Sequence, residues 1–337
     1  MRDLKAATPN QPLHRTCHTT EPDATLNPPR YPTHFMPTVS VIVPNYNHAA
    51  FLRQRVESIL RQSYQDFEVL LLDDCSTDGS REVLESYRSH PKVSRIVYNE
   101  QNGGSAFRQW DKGIALAQGE WIWIAESDDW ADTRFLETMM TNLWVHPECG
   151  LGYCRSHVTD EAGNILWKVT PGEGMTVTNG HDLIRQKLLL TSTIMNVSSC
   201  VFRKSLFQPK KQVLYEKMRL CGDWFFYVLL AEQTDVLKVK EPLNYCRRHG
   251  SNIAESAEVR GLTFLEGADI LDYILARYNV GKFYYSKFWG RQWAKYQKKW
   301  HFPKETNKAV LRRFYKRHLL IVFFYWIYRL KLNLKQN

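Results

Sequence analysis

Val39-Ser40-Val41-Ile42-Val43-Pro44-Asn45-Tyr46-Asn47 decides the reading of this sequence. A β-branched run with little polar alternation marks a strand buried on both faces, and the Pro-Asn-Tyr-Asn that follows ends it with a turn. Residues 51–61 then carry apolar positions at helical spacing. Residues 67–72 form a second apolar run that ends in Asp73-Asp74, and Ser76-Thr77-Asp78-Gly79 opens a helix. Residues 93–98 give a third strand and 105–117 a helix. Trp121-Ile122-Trp123-Ile124-Ala125 gives a fourth strand, ending at Glu126-Ser127-Asp128-Asp129. Strands alternating with helices predict an α/β fold with a mostly parallel central sheet covered on both faces. In such sheets ligands bind at the carboxyl ends of the strands, where the polar clusters of this chain fall.

Beyond residue 150 the pattern loosens, with strands expected at 150–157, 165–169 and 197–202, and helices at 181–190, 222–232 and 255–277. Residues 1–37, rich in Pro, Thr and Asn and without an apolar period, read as a disordered extension with no signal-peptide core. The expected organisation is therefore a nucleotide-binding half over 38–130, an acceptor half over 131–255, and a helical C-terminal region over 256–337.

The chain has 337 residues and a net charge of +10, which favours an anionic partner. Much of the excess lies beyond residue 280, around the run Leu319-Leu320-Ile321-Val322-Phe323-Phe324-Tyr325-Trp326-Ile327-Tyr328. That run is about half of what a helix needs to cross a bilayer. Two readings stay open for 312–335: attachment to an anionic membrane surface, or docking on the protein's own core. The seven cysteines are scattered without a CxxC pair, so neither a disulfide framework nor a zinc site is indicated and a cytoplasmic setting is expected. No stretch resembles a nucleic-acid module.

Asp128 and Asp129, with Glu126 before them, offer hard oxygen ligands suited to Mn²⁺ or Mg²⁺ shared with substrate phosphates; equally, an Asp pair after a strand can cap the next helix. Asp73 and Asp74 end a buried strand where a carboxylate can read a nucleobase or ribose, or merely order a turn, and Tyr46 offers a ring face for a base. Asp223 begins an apolar helix and reads first as a cap. Arg247 and His249 lie at a strand-to-loop transition and suit a diphosphate, or form an exposed basic turn. Asn102-Gly103-Gly104-Ser105 is a weak phosphate-loop pattern, lacking the lysine and the spacing of known ones.

Taken in order, Val39 to Asn47, Ile59-Leu60-Arg61-Gln62-Ser63-Tyr64-Gln65-Asp66-Phe67-Glu68-Val69, Asp73 to Gly79, Gly113-Ile114-Ala115-Leu116-Ala117-Gln118-Gly119-Glu120 and Ser127-Asp128-Asp129 resemble family 2 glycosyltransferases of the GT-A fold, over about residues 38–255. The resemblance implies inverting transfer from a nucleotide-diphospho-sugar, often a UDP-sugar, to a hydroxyl acceptor in cell-surface polysaccharide or lipid-linked glycan synthesis, at the cytoplasmic face of a membrane. It implies nucleotide contacts at Pro44, Tyr46, Asp73 and Asp74, a metal at Asp128 and Asp129, a catalytic base at Asp223, and a metal- or diphosphate-proximal His249 with Arg247 beside it. Two departures stand out. Trp110-Asp111-Lys112-Gly113 replaces the usual Arg-Asn-x-Gly, so a donor-site cation is missing or comes from Arg108 or Lys112, and Gly222 stands where an acidic residue is common. Two other readings fit a nucleotide and metal site: a nucleotidyltransferase, for which Pro44-Asn45-Tyr46-Asn47 is the wrong loop, and a non-catalytic nucleotide- or glycan-binding protein.

Overall fold

The computed structural model describes residues 37–209, 214–250, 261–280, 288–290 and 304–315. The expected N-terminal extension and the aromatic run 319–328 lie outside them. In the first half, β1 (Val39–Asn45), α1 (Ala49–Leu60), β2 (Phe67–Asp73), α2 (Ser80–Glu85), β3 (Val93–Tyr98), α3 (Ala106–Leu116) and β4 (Trp121–Ile124) alternate as the sequence predicts. The second half holds β5 (Trp130–Ala131), α4 (Phe135–Val145), β6 (Cys149–Thr159), β7 (Ile165–Trp167), β8 (Met175–Thr178), α5 (Gly180–Leu183), β9 (Cys200–Arg203), α6 (Gly222–Ala231) and β10 (Asp235–Arg247). Among the described residues two C-terminal helices follow, α7 (Leu262–Arg277) and α8 (Lys304–Tyr315).

All the strands join one sheet in the order β3-β2-β1-β4-β9-β6-β10-β5, with β7 on β6 and β8 on β10. The pairs among β1 to β4 are parallel. Beyond β4 the sheet becomes mixed, because β9 runs antiparallel to both β4 and β6 while β6 and β10 are parallel. The expected strand at 197–202 begins instead as a 3₁₀ turn, Val197–Ser199, and the helix expected at 181–190 relaxes into a π turn over Ile184–Leu188.

Alternation along the strands builds two cores. Ile42, Ile122 and Ile124 face α3 and α6, whereas Val41, Val43, Trp121 and Trp123 face α1 and α4, all of them buried. Burying both faces of a central strand in this way is the main source of stability in a parallel sheet. Gly119 is needed at the start of β4, since a Cβ there would lie 2.7 Å from the Ser40 nitrogen. Its N–H donates to Ser40 Oγ at 2.8 Å, and that hydroxyl donates to Glu68 Oε1 at 2.6 Å, so this family-like motif locks strand to strand.

The start of the basic C-terminal region packs on the protein itself. Arg313 of α8 donates to Asp272 at 2.9 Å and also to Asp269, both on α7, and Val310 is buried. No helix among the described residues is long and apolar enough to cross a membrane.

Candidate active site

The carboxyl ends of β1, β2, β4 and β10 converge on one edge of the sheet. The loops after β1 and β2 are stitched together: Ser76 Oγ accepts from the Asn47 N–H at 3.0 Å and Asn45 Nδ2 at 3.2 Å, and Asn47 Oδ1 accepts from the Thr77 N–H at 2.7 Å. Asn47 and Cys75 adopt φ of 54° and 62°, a left-handed backbone that non-glycine residues adopt only where the surroundings impose it, often at functional edges. Between these loops Tyr46 remains 46% exposed, its ring open at the sheet edge.

Asp73 is buried and turned into the protein. Asn45 Nδ2 donates to one oxygen and the Ser76 N–H to the other, each at 3.0 Å, so it orders the turn. Pro44 likewise lies within β1, opposite Leu72. Asp74 is different. One oxygen accepts from Asn99 Nδ2 (2.6 Å), the Gly103 N–H (2.9 Å) and Gln109 Nε2 (2.8 Å), so any base contact falls to the other oxygen. The 102–105 loop thus holds Asp74 through its amides, and the phosphate-loop reading gives way to this one. Arg108 is exposed next to it, donating to the Gly103 carbonyl at 3.1 Å, while Lys112 is tied to Asn99.

At the end of β4 the structure separates two aspartates that the sequence treats as a pair. Asp129 is buried, and its oxygens accept from the Arg247 N–H (3.0 Å) and the Asn196 amide. Asp128 instead meets His249 Nε2 at 3.0 Å, and His48 joins them: one ring nitrogen of each imidazole and an Asp128 oxygen lie within 4.8 Å of one another. The His48 and His249 rings sit edge to face at 5.3 Å, and His48 Nδ1 is 2.8 Å from Ser127 Oγ. Two imidazoles and a carboxylate form a donor set that fits a transition-type divalent cation such as Mn²⁺ better than Mg²⁺. Burial pushes the Asp128 carboxyl up, but the His249 hydrogen bond and the neighbouring imidazole charges outweigh it and hold it low. Burial lowers His48 from its ordinary value, against the opposing pull of the Asp128 charge.

Arg247 is bonded to the protein's own groups. Its guanidinium donates to the Asp128 carbonyl at 2.8 Å, to Gln54 Oε1 at 2.5 Å and to the Glu161 carbonyl, and lies 4.6 Å from the ring centres of both Phe51 and Trp130. The side chain is a clamp on the backbone of the loop after β4. Arg55 and Glu126 complete the acidic edge. Arg55, wholly buried in α1, donates to the Glu126 carbonyl at 2.8 Å and offsets the charges of Asp129, Asp128 and Glu126. Burial, reinforced by the Asp128 charge, pushes Glu126 up to about 8, and Trp110 Nε1 donates to it at 2.7 Å.

Asp223 lies in the first turn of α6, its Oδ1 accepting from the Trp224 N–H at 2.6 Å. Burial, then the charge of Glu266, raises its carboxyl to about 7. Helix α6 touches the edge just described, since Phe226 stacks edge to face on Trp110 at 5.7 Å and the buried Tyr227 hydroxyl feels both Asp223 and Glu126. Gly222 admits no side chain: a Cβ would lie 2.4 Å from the Phe107 ring. A continuous path therefore links Asp74, the 102–105 loop, Phe107 of α3 and the start of α6.

The sequence reading missed His48, Arg55, Trp110 and Asn196. Arg55 carried a signal, a charge on the same helical face as Leu52, Val56 and Ile59, and His48 follows the loop after β1 at the predicted binding edge.

The model of glycosyl transferase family 2 matches residues 40–208, half of the chain. The chain belongs to glycosyl transferase family 2. An uncharacterized glycosyltransferase of Nostoc is 37% identical over 224 residues, which are 65% of this chain and 67% of the relative. TuaG of Bacillus subtilis, a putative teichuronic acid biosynthesis glycosyltransferase, is 38% identical over 112 residues, 32% of this chain and 44% of TuaG. GlyG of Streptococcus pneumoniae is 40% identical over 101 residues, 30% of this chain and 33% of GlyG, so the matches span less than half of these two relatives. Among solved structures, residues 1–349 of TarS from S. aureus in complex with UDP-GlcNAc superpose with a TM-score of 0.63 at 17% identity, covering 82% of this chain and 79% of that one. The family fold, a central sheet flanked by helices, is that of the structure described above.

Proposed function

We propose that this family 2 glycosyltransferase moves a sugar from a UDP-sugar to a hydroxyl acceptor, with inversion, in the synthesis of a cell-surface polysaccharide. The observation that supports the reading is the His48, Asp128 and His249 cluster after β4, with the buried Asp223 at the start of α6 and Glu126 before the cluster both acting on the Tyr227 hydroxyl. The UDP-GlcNAc complex of TarS and the teichuronic acid role in the name of TuaG support the donor and the setting. A divalent cation held by Asp128 and His249, with His48 beside them, would neutralise the charge gathering on the departing diphosphate.

The chain's own groups divide the remaining work. Tyr46 stacks on the base, the free oxygen of Asp74 accepts from its ring N–H, and Arg108 supplies the cation that Trp110-Asp111-Lys112 does not. Asp223 removes the acceptor hydroxyl proton as that oxygen attacks the anomeric carbon; a value near 7 leaves a substantial ionised fraction near neutral pH and a carboxylate basic enough to take the proton. Residues 131–255 supply the acceptor surface, and the protein works at the cytoplasmic face of a membrane.

Thermal unfolding with UDP, GDP, CDP and dTDP, each with and without Mn²⁺, tests the donor half, because a ligand of the folded state raises the melting temperature by mass action. A Mn²⁺-dependent rise with UDP is expected. No rise with any nucleotide returns the weight to a non-catalytic glycan-binding protein. Asp223→Asn is expected to retain that rise and to lose turnover; loss of both together counts against the base.

A further inference from the structure

Glu266 lies on α7, outside the matched family region, and is 8% exposed. Its carboxylate takes three successive backbone donors from the loop before α6. The Arg219 N–H donates to Oε1 at 2.7 Å, and the Leu220 and Cys221 N–H groups donate to Oε2 at 3.0 and 2.7 Å. Successive amides pointing at one anion form a strong, charge-assisted set of bonds, and here they end two residues before Asp223. The joint is tight on either side. Cys221 Sγ lies 3.8 Å from the Thr263 carbonyl, a Cβ on Gly267 would come within 3.2 Å of the Trp224 ring, and Trp224 Nε1 donates to the Leu188 carbonyl at 2.7 Å. Gly222 is pressed against Phe107, so no acidic side chain fits next to Asp223 in the chain itself.

We propose that Glu266 is a positioning residue for sugar transfer: by gripping the 219–221 backbone it fixes where Asp223 stands and, among the described residues, brings a negative charge to bear on it, making α7 part of the catalytic unit. The proposal rests on the reading of Asp223 as the base. The groups that act on Asp223 or feel its charge are Cys200 on β9, Cys221 before α6, Tyr227 on α6, and Glu266. Burial pushes both thiols and the phenol well above their usual values, so they stay neutral near pH 7 and Glu266 is the charged neighbour. A fold anchor alone would affect stability; a positioning residue also sets the proton affinity of the base.

The test uses the full chain labelled with ¹³Cγ-aspartate, the Asp223 resonance being the one lost in Asp223→Asn. In Glu266→Gln the Asp223 titration midpoint is expected to fall by about one pH unit, a tenfold drop in proton affinity. Glu266→Asp keeps the charge but shortens the reach. It is expected to hold the midpoint while kcat for UDP release falls about tenfold with KM unchanged, using the best turned-over of UDP-glucose, UDP-galactose and UDP-GlcNAc. An unmoved midpoint in a folded Glu266→Gln, or wild-type kcat in Glu266→Asp, overturns the proposal. Should Glu266→Gln fail to fold, the Glu266→Asp kinetics still decide. Full UDP release by Asp223→Asn would instead sink the base reading and leave the electrostatic coupling standing.

Discussion

Arg247→Ala separates a clamp from a phosphate ligand. The guanidinium serves the Asp128 carbonyl, the Glu161 carbonyl and the Gln54 side chain, and lies between Phe51 and Trp130 at 4.6 Å from each ring centre. Three hydrogen bonds from a charged donor, each worth about 1.5 kcal/mol net, and two cation–π contacts at about 0.5–1 kcal/mol each, sum to roughly 6 kcal/mol. At about 2.1 cal/mol/K per residue over 337 residues each kcal/mol moves the melting temperature by about 1.4 °C, so Arg247→Ala should melt roughly 8 °C lower. Arg247→Lys should recover little, because one ammonium cannot reach three divergent acceptors. Paired melts with and without UDP and Mn²⁺ provide the assay. The expectation is a large fall in the unliganded protein with the ligand-induced increment largely retained below the transition. An unchanged unliganded melt together with a tenfold loss of UDP affinity would show that Arg247 binds the diphosphate and would refute the clamp.

Further tests follow from the same edge of the sheet. His48→Ala should weaken Mn²⁺ binding at least tenfold in an EPR titration, with Asp128→Ala weaker still; an unaltered isotherm in His48→Ala removes it from the ligand set. Gly222→Ala forces a methyl group into the Phe107 ring and should cost about 1–3 kcal/mol by denaturant melts, and a neutral result would mean that α3 and α6 are not packed as described. Asp111 and Asp223 are both raised to about 7 from 3.8, chiefly by burial. The folded state therefore holds these protons more tightly than the unfolded chain. Their contribution is present in full below about pH 4 and is lost as pH rises through about 7. Metal-free melts should fall between pH 5 and 8, and Asp111→Asn should recover roughly 1–3 kcal/mol at pH 8 and little at pH 5; equal effects at both values would contradict the raised carboxyl.

Local sequence determined the parallel half of this molecule, because strands buried on both faces and helices with one apolar stripe each write their period into contiguous residues. Runs such as Val39 to Val43 and Trp121 to Ile124 can be little else, and the rule that α/β sheets bind at their carboxyl ends then located Tyr46, Asp74 and Asp128 at one edge, which His249 joins only in the fold. The antiparallel insertion of β9 between β4 and β6 was not legible, since a four-residue strand has too few positions to show a period and its partners lie some fifty and eighty residues away. Nor could any spacing tell that Asp128 faces two imidazoles while its neighbour Asp129 turns to Asn196 and the Arg247 backbone. Successive residues in a turn point in different directions, and only the loops packed around them decide which one meets a ligand. Arg247 and Glu266 carry the same lesson from opposite sides. The sequence pointed to Arg247 and not to Glu266, yet whether either charge meets substrate or holds the backbone that does depends on which groups the fold brings within three ångströms of it.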